Sequence, residues 1–160
     1  MLREATRSDL NDYLPRFGKM SEKMARTYFR QLVEGLSTAA LLKPAVLHPN
    51  LQASSILLGD TAQLYICGWS EISAKDEATR LQESVFSCGE ILICMLTSFM
   101  PFYKKYSATD AFFKFISEEH IHKFWQELQK RMTRLDKNFK FSAELKQLTE
   151  GIFLKKIKTF

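Results

Sequence analysis

Between His48 and Ser55 the chain sets an imidazole, two neutral amides (Asn50 and Gln52) and two serine hydroxyls, and Ile66-Cys67-Gly68-Trp69-Ser70 follows shortly after. These types can form hydrogen bonds, stack rings and pass a proton through His48. None brings a fixed charge: Asn50 offers a neutral amide, Ser55 a single hydroxyl and Gly68 no side chain. Two other groups could do chemistry. The pair His120-x-His122 has no third His or Cys nearby, whereas zinc sites normally take three or four protein ligands, so the two read as exposed helix-end residues. Cys67, Cys88 and Cys94 have no paired spacing and fit reduced, buried thiols better than a disulfide frame or a metal site.

The elements that must position His48 are legible around it. Ala45–Leu47 is a short apolar run ending at His48. Two β-rich runs, Ile56–Leu58 and Leu64–Cys67, flank the turn-like Gly59-Asp60-Thr61, so a loop followed by a small antiparallel ribbon is expected. Upstream, Leu10, Tyr13 and Leu14 fall on one face of a brief helix that Pro15 to Gly18 should end. Ser21-Glu22 is a helix start, and Ala25, Tyr28, Phe29, Leu32, Val33 and Leu36 recur at helical spacing behind it. Residues 70–80 are polar and read as a loop. Val85 to Leu96 is apolar on almost every side, the mark of a helix buried all round. Two aromatic-rich segments follow, Ala111–Ile116 and His120–Met132. Ser142 then caps a last helix through Leu145, Leu148, Ile152 and Phe153, and Lys155-Lys156-Ile157-Lys158 forms a basic, solvated helix end.

Length and composition bound the rest. With 160 residues, 46% of them hydrophobic and only 6 Gly and 4 Pro, the chain is expected to form one mainly α domain over 1–160. No apolar run reaches the ~20 residues that span a bilayer, so no membrane is expected as a partner. Met1-Leu2-Arg3-Glu4 lacks a signal core, which places the expected location in the cytoplasm or nucleus. The net charge of +5 permits acidic partners without demanding them.

The order of these segments resembles the large lobe of eukaryotic protein kinases, over roughly residues 8–155. Ser8 to Leu14 is similar to the helix just after the hinge between the lobes, and Ser21 to Leu32 to the long helix that leads into the catalytic loop. His48-Pro49-Asn50-Leu51 stands where the family has His-Arg-Asp-Leu, and Ser55 where it has a metal-binding Asn. Gly68-Trp69-Ser70 replaces Asp-Phe-Gly, and Ser84 replaces an Asp at the start of the central helix, which exits through Thr97-Ser98-Phe99-Met100-Pro101-Phe102. Phe124-Trp125 resembles the family's peripheral helices. Residues 70–80 occupy the place of the activation segment but lack Ala-Pro-Glu, and the Asp-Pro-x-x-Arg whose Arg would pair with that Glu is missing as well. The chain has neither a glycine-rich loop nor a Lys in a Val-Ala-Ile-Lys context.

The resemblance implies a kinase frame without kinase chemistry. His48, Asn50, Gln52, Ser55 and Gly68 are its degenerate catalytic positions. Phosphoryl transfer rests on positioning and charge neutralisation. Losing a general base costs about 10²–10⁴ in rate, and magnesium demands hard oxygen ligands that Ser55 alone does not supply. His48 and Trp69 would keep a structural stack. The expected function is therefore a catalytically inactive, pseudokinase-like module with no cofactor and no metal. It would bind a protein partner, or itself, through an uncovered face near Val46, Leu57 and Trp69. One alternative is a fragment that binds ATP and transfers phosphate only when a small lobe is supplied separately. A second is a basic helical domain binding nucleic acid, against which stands the lack of interleaved aromatics and glycines.

Overall fold

The computed structural model describes residues 8–42, 45–71, 73, 75–103 and 107–157, with backbone alone for 155–157. Its elements are β1 (Ser8–Asp9), α1 (Leu10–Phe17), α2 (Glu22–Ala40), β2 (Val46–Leu47), β3 (Ile56–Leu58), β4 (Leu64–Ile66), β5 (Ser70–Glu71), α3 (Glu77–Thr97), α4 (Ala111–Ser117), α5 (Ile121–Leu135) and α6 (Ala143–Ile157). The fold is mainly helical with small antiparallel sheets. Contacts divide the chain into two compact units, Met1–Met100 and Pro101–Phe160.

In the first unit, capping sets the helix starts. Asp9 accepts from the Asp12 backbone N–H at 2.9 Å, and Ser21 accepts from Met24 N–H at 3.2 Å, each filling an orphan donor of a first turn. Helix α1 ends within Pro15 to Gly18, as the sequence predicts, though not at Pro15 itself. Pro15 stands exposed inside the helix, and the terminator is Gly18, whose φ of +78° breaks the run while its N–H returns to the Leu14 carbonyl at 2.9 Å. Helix α2 turns Ala25, Tyr28, Leu32 and Leu36 inward and leaves Val33 40% exposed. It packs against α3, in which Phe86 to Thr97 is buried without interruption. Val85, expected to be covered, is 43% exposed.

Helix α3 also begins earlier than its polar first turns suggested. Glu77–Arg80 belong to it, and Glu77 lies in the first turn, where an acid suits the positive end of the helix. Of the stretch expected to be a loop, Ser70–Glu71 is strand, and Ile72 and Ala74 lie outside the described residues.

The expected ribbon is present as β3 and β4, in the register Ile56↔Ile66, Leu57↔Tyr65 and Leu58↔Leu64. Gly59 N–H closes it on the Gln63 carbonyl at 2.8 Å. Two further pairings lie beyond a two-strand reading. β1 adds to β3 antiparallel, making a three-stranded sheet, and β2 pairs with β5 in a separate one. Gln31 of α2 pins the ribbon from the helix side. Its Nε2 donates to the Ala62 carbonyl and its Oε1 accepts from Leu64 N–H, both at 2.9 Å.

The second unit is organised by aromatic rings. Phe102 lies 5.5 Å from Phe153, 6.0 Å from Phe113 and 6.2 Å from Phe124 between ring centroids, and α4 packs against both α5 and α6. The first two pairs are edge to face, an arrangement that stabilises by about 0.5–1.5 kcal/mol per pair beyond its area. Asp110 caps α4 through Phe113 N–H at 2.9 Å, and its other oxygen accepts from Tyr103 N–H at 2.6 Å. Ser142 caps α6, as expected, through Leu145 N–H at 3.2 Å. Leu148, one of the apolar residues that mark this helix, is 46% exposed. In the basic tail, the side chains of Lys155 and Lys156 and all of Lys158 lie outside the described residues.

Candidate functional site

Strand pairing brings the two halves of the candidate site together. β2 runs into His48 and β5 follows Trp69. The register Leu47↔Ser70 therefore makes His48 and Trp69 the next opposed positions of the antiparallel pair. Their rings meet edge to face, 6.3 Å apart at 64°.

His48 is buried and both its nitrogens are engaged. Asn50 backbone N–H donates to Nδ1 at 3.1 Å, and Nε2 lies 2.7 Å from the Cys67 carbonyl oxygen. A neutral imidazole carries one N–H. Nδ1 must accept, so the proton sits on Nε2 and is donated to Cys67. The ring thus ties the turn after Leu47 to the end of the ribbon. Trp69 Nε1–H donates to the Ile66 carbonyl at 2.8 Å, fixing the indole over the same turn.

Gly68 lies beneath the ring. Its φ is +87°, and a Cβ placed on it would come within 2.9 Å of His48 Nε2. Both observations call for glycine: the left-handed conformation costs an ordinary residue about 1–2 kcal/mol, and the imidazole is anchored at both ends.

The remaining sequence-selected residues divide sharply. Ser55 is buried at the end of a single 3₁₀ turn, Ala53–Ser55, and its carbonyl accepts from Cys67 N–H at 3.0 Å and from Cys67 Sγ at 3.4 Å. Asn50 and Gln52 are exposed; Asn50 serves His48 through its backbone, and Gln52 caps the 3₁₀ turn without a side-chain bond. The site thus ties His48, Ser55 and Trp69 together through the carbonyls of Cys67, Ser55 and Ile66, with Gly68 against the His48 ring, while the Asn50 and Gln52 side chains stay in solvent. Among the described residues no three of His, Cys, Asp and Glu converge on a point that would hold a metal ion.

Three positions need correction. Ser84 does not start a helix; it lies two turns inside α3, 3% exposed, and its hydroxyl has no hydrogen-bond partner. Cys67 is exposed rather than buried, because it continues the outward alternation of Tyr65 past the end of β4. The brace on the His48 loop is Arg80, in a stretch whose polar sequence predicts a loop. Its Nη1 donates to the Pro49 carbonyl at 3.2 Å while pairing with Glu83 at 3.0 Å. The acid at Glu77 was the available signal: with the helix started there, Arg80 falls one turn before Ser84 on the same side.

Val46, Leu57 and Trp69, the residues expected on an uncovered face, are each half-buried. His120 precedes α5 and meets the His122 ring at 6.1 Å, with Glu118 3.5 Å from its Nδ1. Among the described residues no helix is long and apolar enough to cross a membrane. A search against protein-family models finds none that matches the chain.

Proposed function

We propose that the chain is a non-catalytic, protein-kinase-like large lobe that acts as a protein-binding or regulatory module. The observation that carries this reading is the closed state of the His48 turn. In the resemblance this turn would hold the base and the magnesium ligand. Its polar contacts are instead spent internally: His48 on Asn50 N–H and Cys67 O, Trp69 on Ile66 O. Position 68 presents no ligand. Asn50, exposed in this turn at the place of the family's base, is a neutral amide that cannot serve as a general base at neutral pH. Magnesium keeps near-octahedral oxygen coordination, and the Ser55 hydroxyl would supply at most one ligand. Val46, Leu57 and Trp69 each keep part of an apolar side chain open to solvent, which suits a protein contact better than catalysis.

The test is direct. Thermal unfolding is followed with and without magnesium-ATP, and label transfer to a generic protein substrate is measured in parallel. Neither a shift nor transfer is expected. A metal-dependent stabilisation would instead favour the alternative of a lobe that binds nucleotide and awaits a small lobe supplied separately. Sedimentation over a concentration series, repeated with Leu57→Asp, tests the contact face. Self-association that the substitution abolishes would support it.

A further inference from the structure

The two units differ in charge. Residues 1–100 hold 10 Lys and Arg against 11 Asp and Glu, whereas residues 101–160 hold 13 against 7. The second unit therefore carries the whole positive excess, and part of it is arranged in a line. On α5 the buried residues Phe124, Trp125, Leu128 and Met132 occupy one side. Lys123, Lys130 and Arg134 stand exposed on the opposite side at spacings of seven and four, and the exposed Lys137 and Lys140 follow just beyond the helix. At about 1.5 Å per residue, Lys123 to Arg134 spans ~16 Å, the reach of roughly five extended residues. Lys123, Arg134, Lys137 and Lys140 form no ion pair with a described carboxylate, while Lys130 pairs with Glu127 on the same line.

We propose that this stripe is a docking surface for an acidic peptide segment of a partner protein. It lies in the second unit and does not depend on the kinase-like reading. Charge complementarity selects an anionic partner, and the details of the stripe select among anions. Duplex DNA carries one charge per ~1.7 Å of axis and would run its phosphates onto Glu127, whereas a peptide can set a backbone N–H there. Single-stranded nucleic acid binds on exposed rings, but Phe124 and Trp125 of this helix are buried. A lipid surface favours an apolar residue along the line of cations. The exposed Leu135 stands about 100° around the helix from Arg134, and the line itself carries Gln126 and Glu127.

The test uses the full chain and a fluorescein-labelled octaglutamate peptide, read by anisotropy. Duplex DNA of equal charge and phosphatidylserine vesicles are the competing probes. Binding to the peptide is expected to weaken at least tenfold in the double variant Lys123→Glu, Arg134→Glu, and severalfold in Lys123→Gln, Arg134→Gln. Lys114→Glu, on α4, should leave it unchanged. Circular dichroism checks that the variants fold, and the neutral pair keeps the test decisive should the reversed pair misfold. Unchanged peptide binding in the neutral pair, or tighter binding to DNA or vesicles than to the peptide, would overturn the proposal.

Discussion

His48 Nε2 occupies the space beside Gly68 so closely that a Cβ on residue 68 would lie 2.9 Å from it. The imidazole cannot swing away cheaply. Nδ1 holds Asn50 N–H at 3.1 Å, and Nε2 holds Cys67 O at 2.7 Å. Position 68 is therefore part of how His48 packs, and its glycine has a structural reason of its own.

Gly68→Ala is accordingly expected to destabilise the chain by about 2–3 kcal/mol, combining the left-handed backbone with displacement of the ring. Urea unfolding measures this. A loss under about 0.5 kcal/mol would show that the ring yields freely.

His48→Ala removes the partner of two part-buried backbone groups at once, the Asn50 N–H and the Cys67 carbonyl. A typical intramolecular hydrogen bond contributes about 0.5–1.5 kcal/mol, so losing both should cost the variant about 1–3 kcal/mol. In the unmutated chain, nitrogen-15 NMR should find the imidazole proton on Nε2. A proton on Nδ1 would contradict the hydrogen bonding described above.

What was legible in the sequence follows the strength of the local signal. Helix α2 could be read because Ser21 caps it and Leu32 and Leu36 repeat on its buried side, and the ribbon because Ile56 and Ile66 flank a turn. The two-residue strands β1, β2 and β5 could not, since such short segments show no alternation and exist only through their partners. The same limit hid the site's logic. His48 was singled out as a side chain, but its partners are the backbone of Asn50 and Cys67, which residue type does not encode. Arg80 was missed because a polar first turn resembles a loop until the buried run after Val85 is extended backwards through it.

Ser84 provides a test with the opposite sign. Its hydroxyl is buried without a partner in α3, so Ser84→Ala removes a desolvated polar group and introduces a better helix former. The expected result is neutral to about 1 kcal/mol stabilising. Ser142→Ala, which deletes the cap on Leu145 N–H, should cost about 1 kcal/mol. Chemical denaturation of the two variants side by side checks the contrast.

The cysteines should report burial and pH together. Exposed Cys67 should react with a thiol reagent in the folded protein, whereas Cys88 and Cys94 should react only on unfolding. Burial, and secondarily the Glu90 carboxylate one turn before it, pushes the Cys94 thiol up to about 11. The folded state therefore keeps its proton after the unfolded chain has begun to lose it. This contribution is constant below the ordinary thiol value near 9 and declines as pH rises towards about 11, by about 2–3 kcal/mol in full. In urea unfolding at pH 8 and pH 10.5, the stability advantage of the unmutated chain over Cys94→Ala should shrink at the higher pH. A pH-independent difference would argue against it.

The last prediction concerns the catalytic positions of the proposed reading. On the proposed kinase-like reading, Asn50→Asp, Ser55→Asn and Gly68→Asp together would supply a base and two magnesium ligands. The three positions are not equivalent. Asn50 is exposed and should accept Asp at little cost. Ser55 is buried, so Asn must place an extra amide among packed groups. At 68 an Asp Cβ meets His48 Nε2 on a backbone at φ +87°, and its carboxylate enters the turn only if His48 gives up Cys67 O. Catalytic groups must sit within about 0.5 Å of productive geometry, so the substitution that adds the ligand also disturbs the ring that shapes the site. The chain carries no glycine-rich loop to cover the phosphates either. The triple variant is therefore expected to show no magnesium-dependent label transfer above the unmutated chain, and to be less stable than Asn50→Asp, Ser55→Asn by about 2–3 kcal/mol. Transfer that appears with magnesium-ATP, in a variant as stable as that double, would mean that the His48 turn can open to a catalytic arrangement.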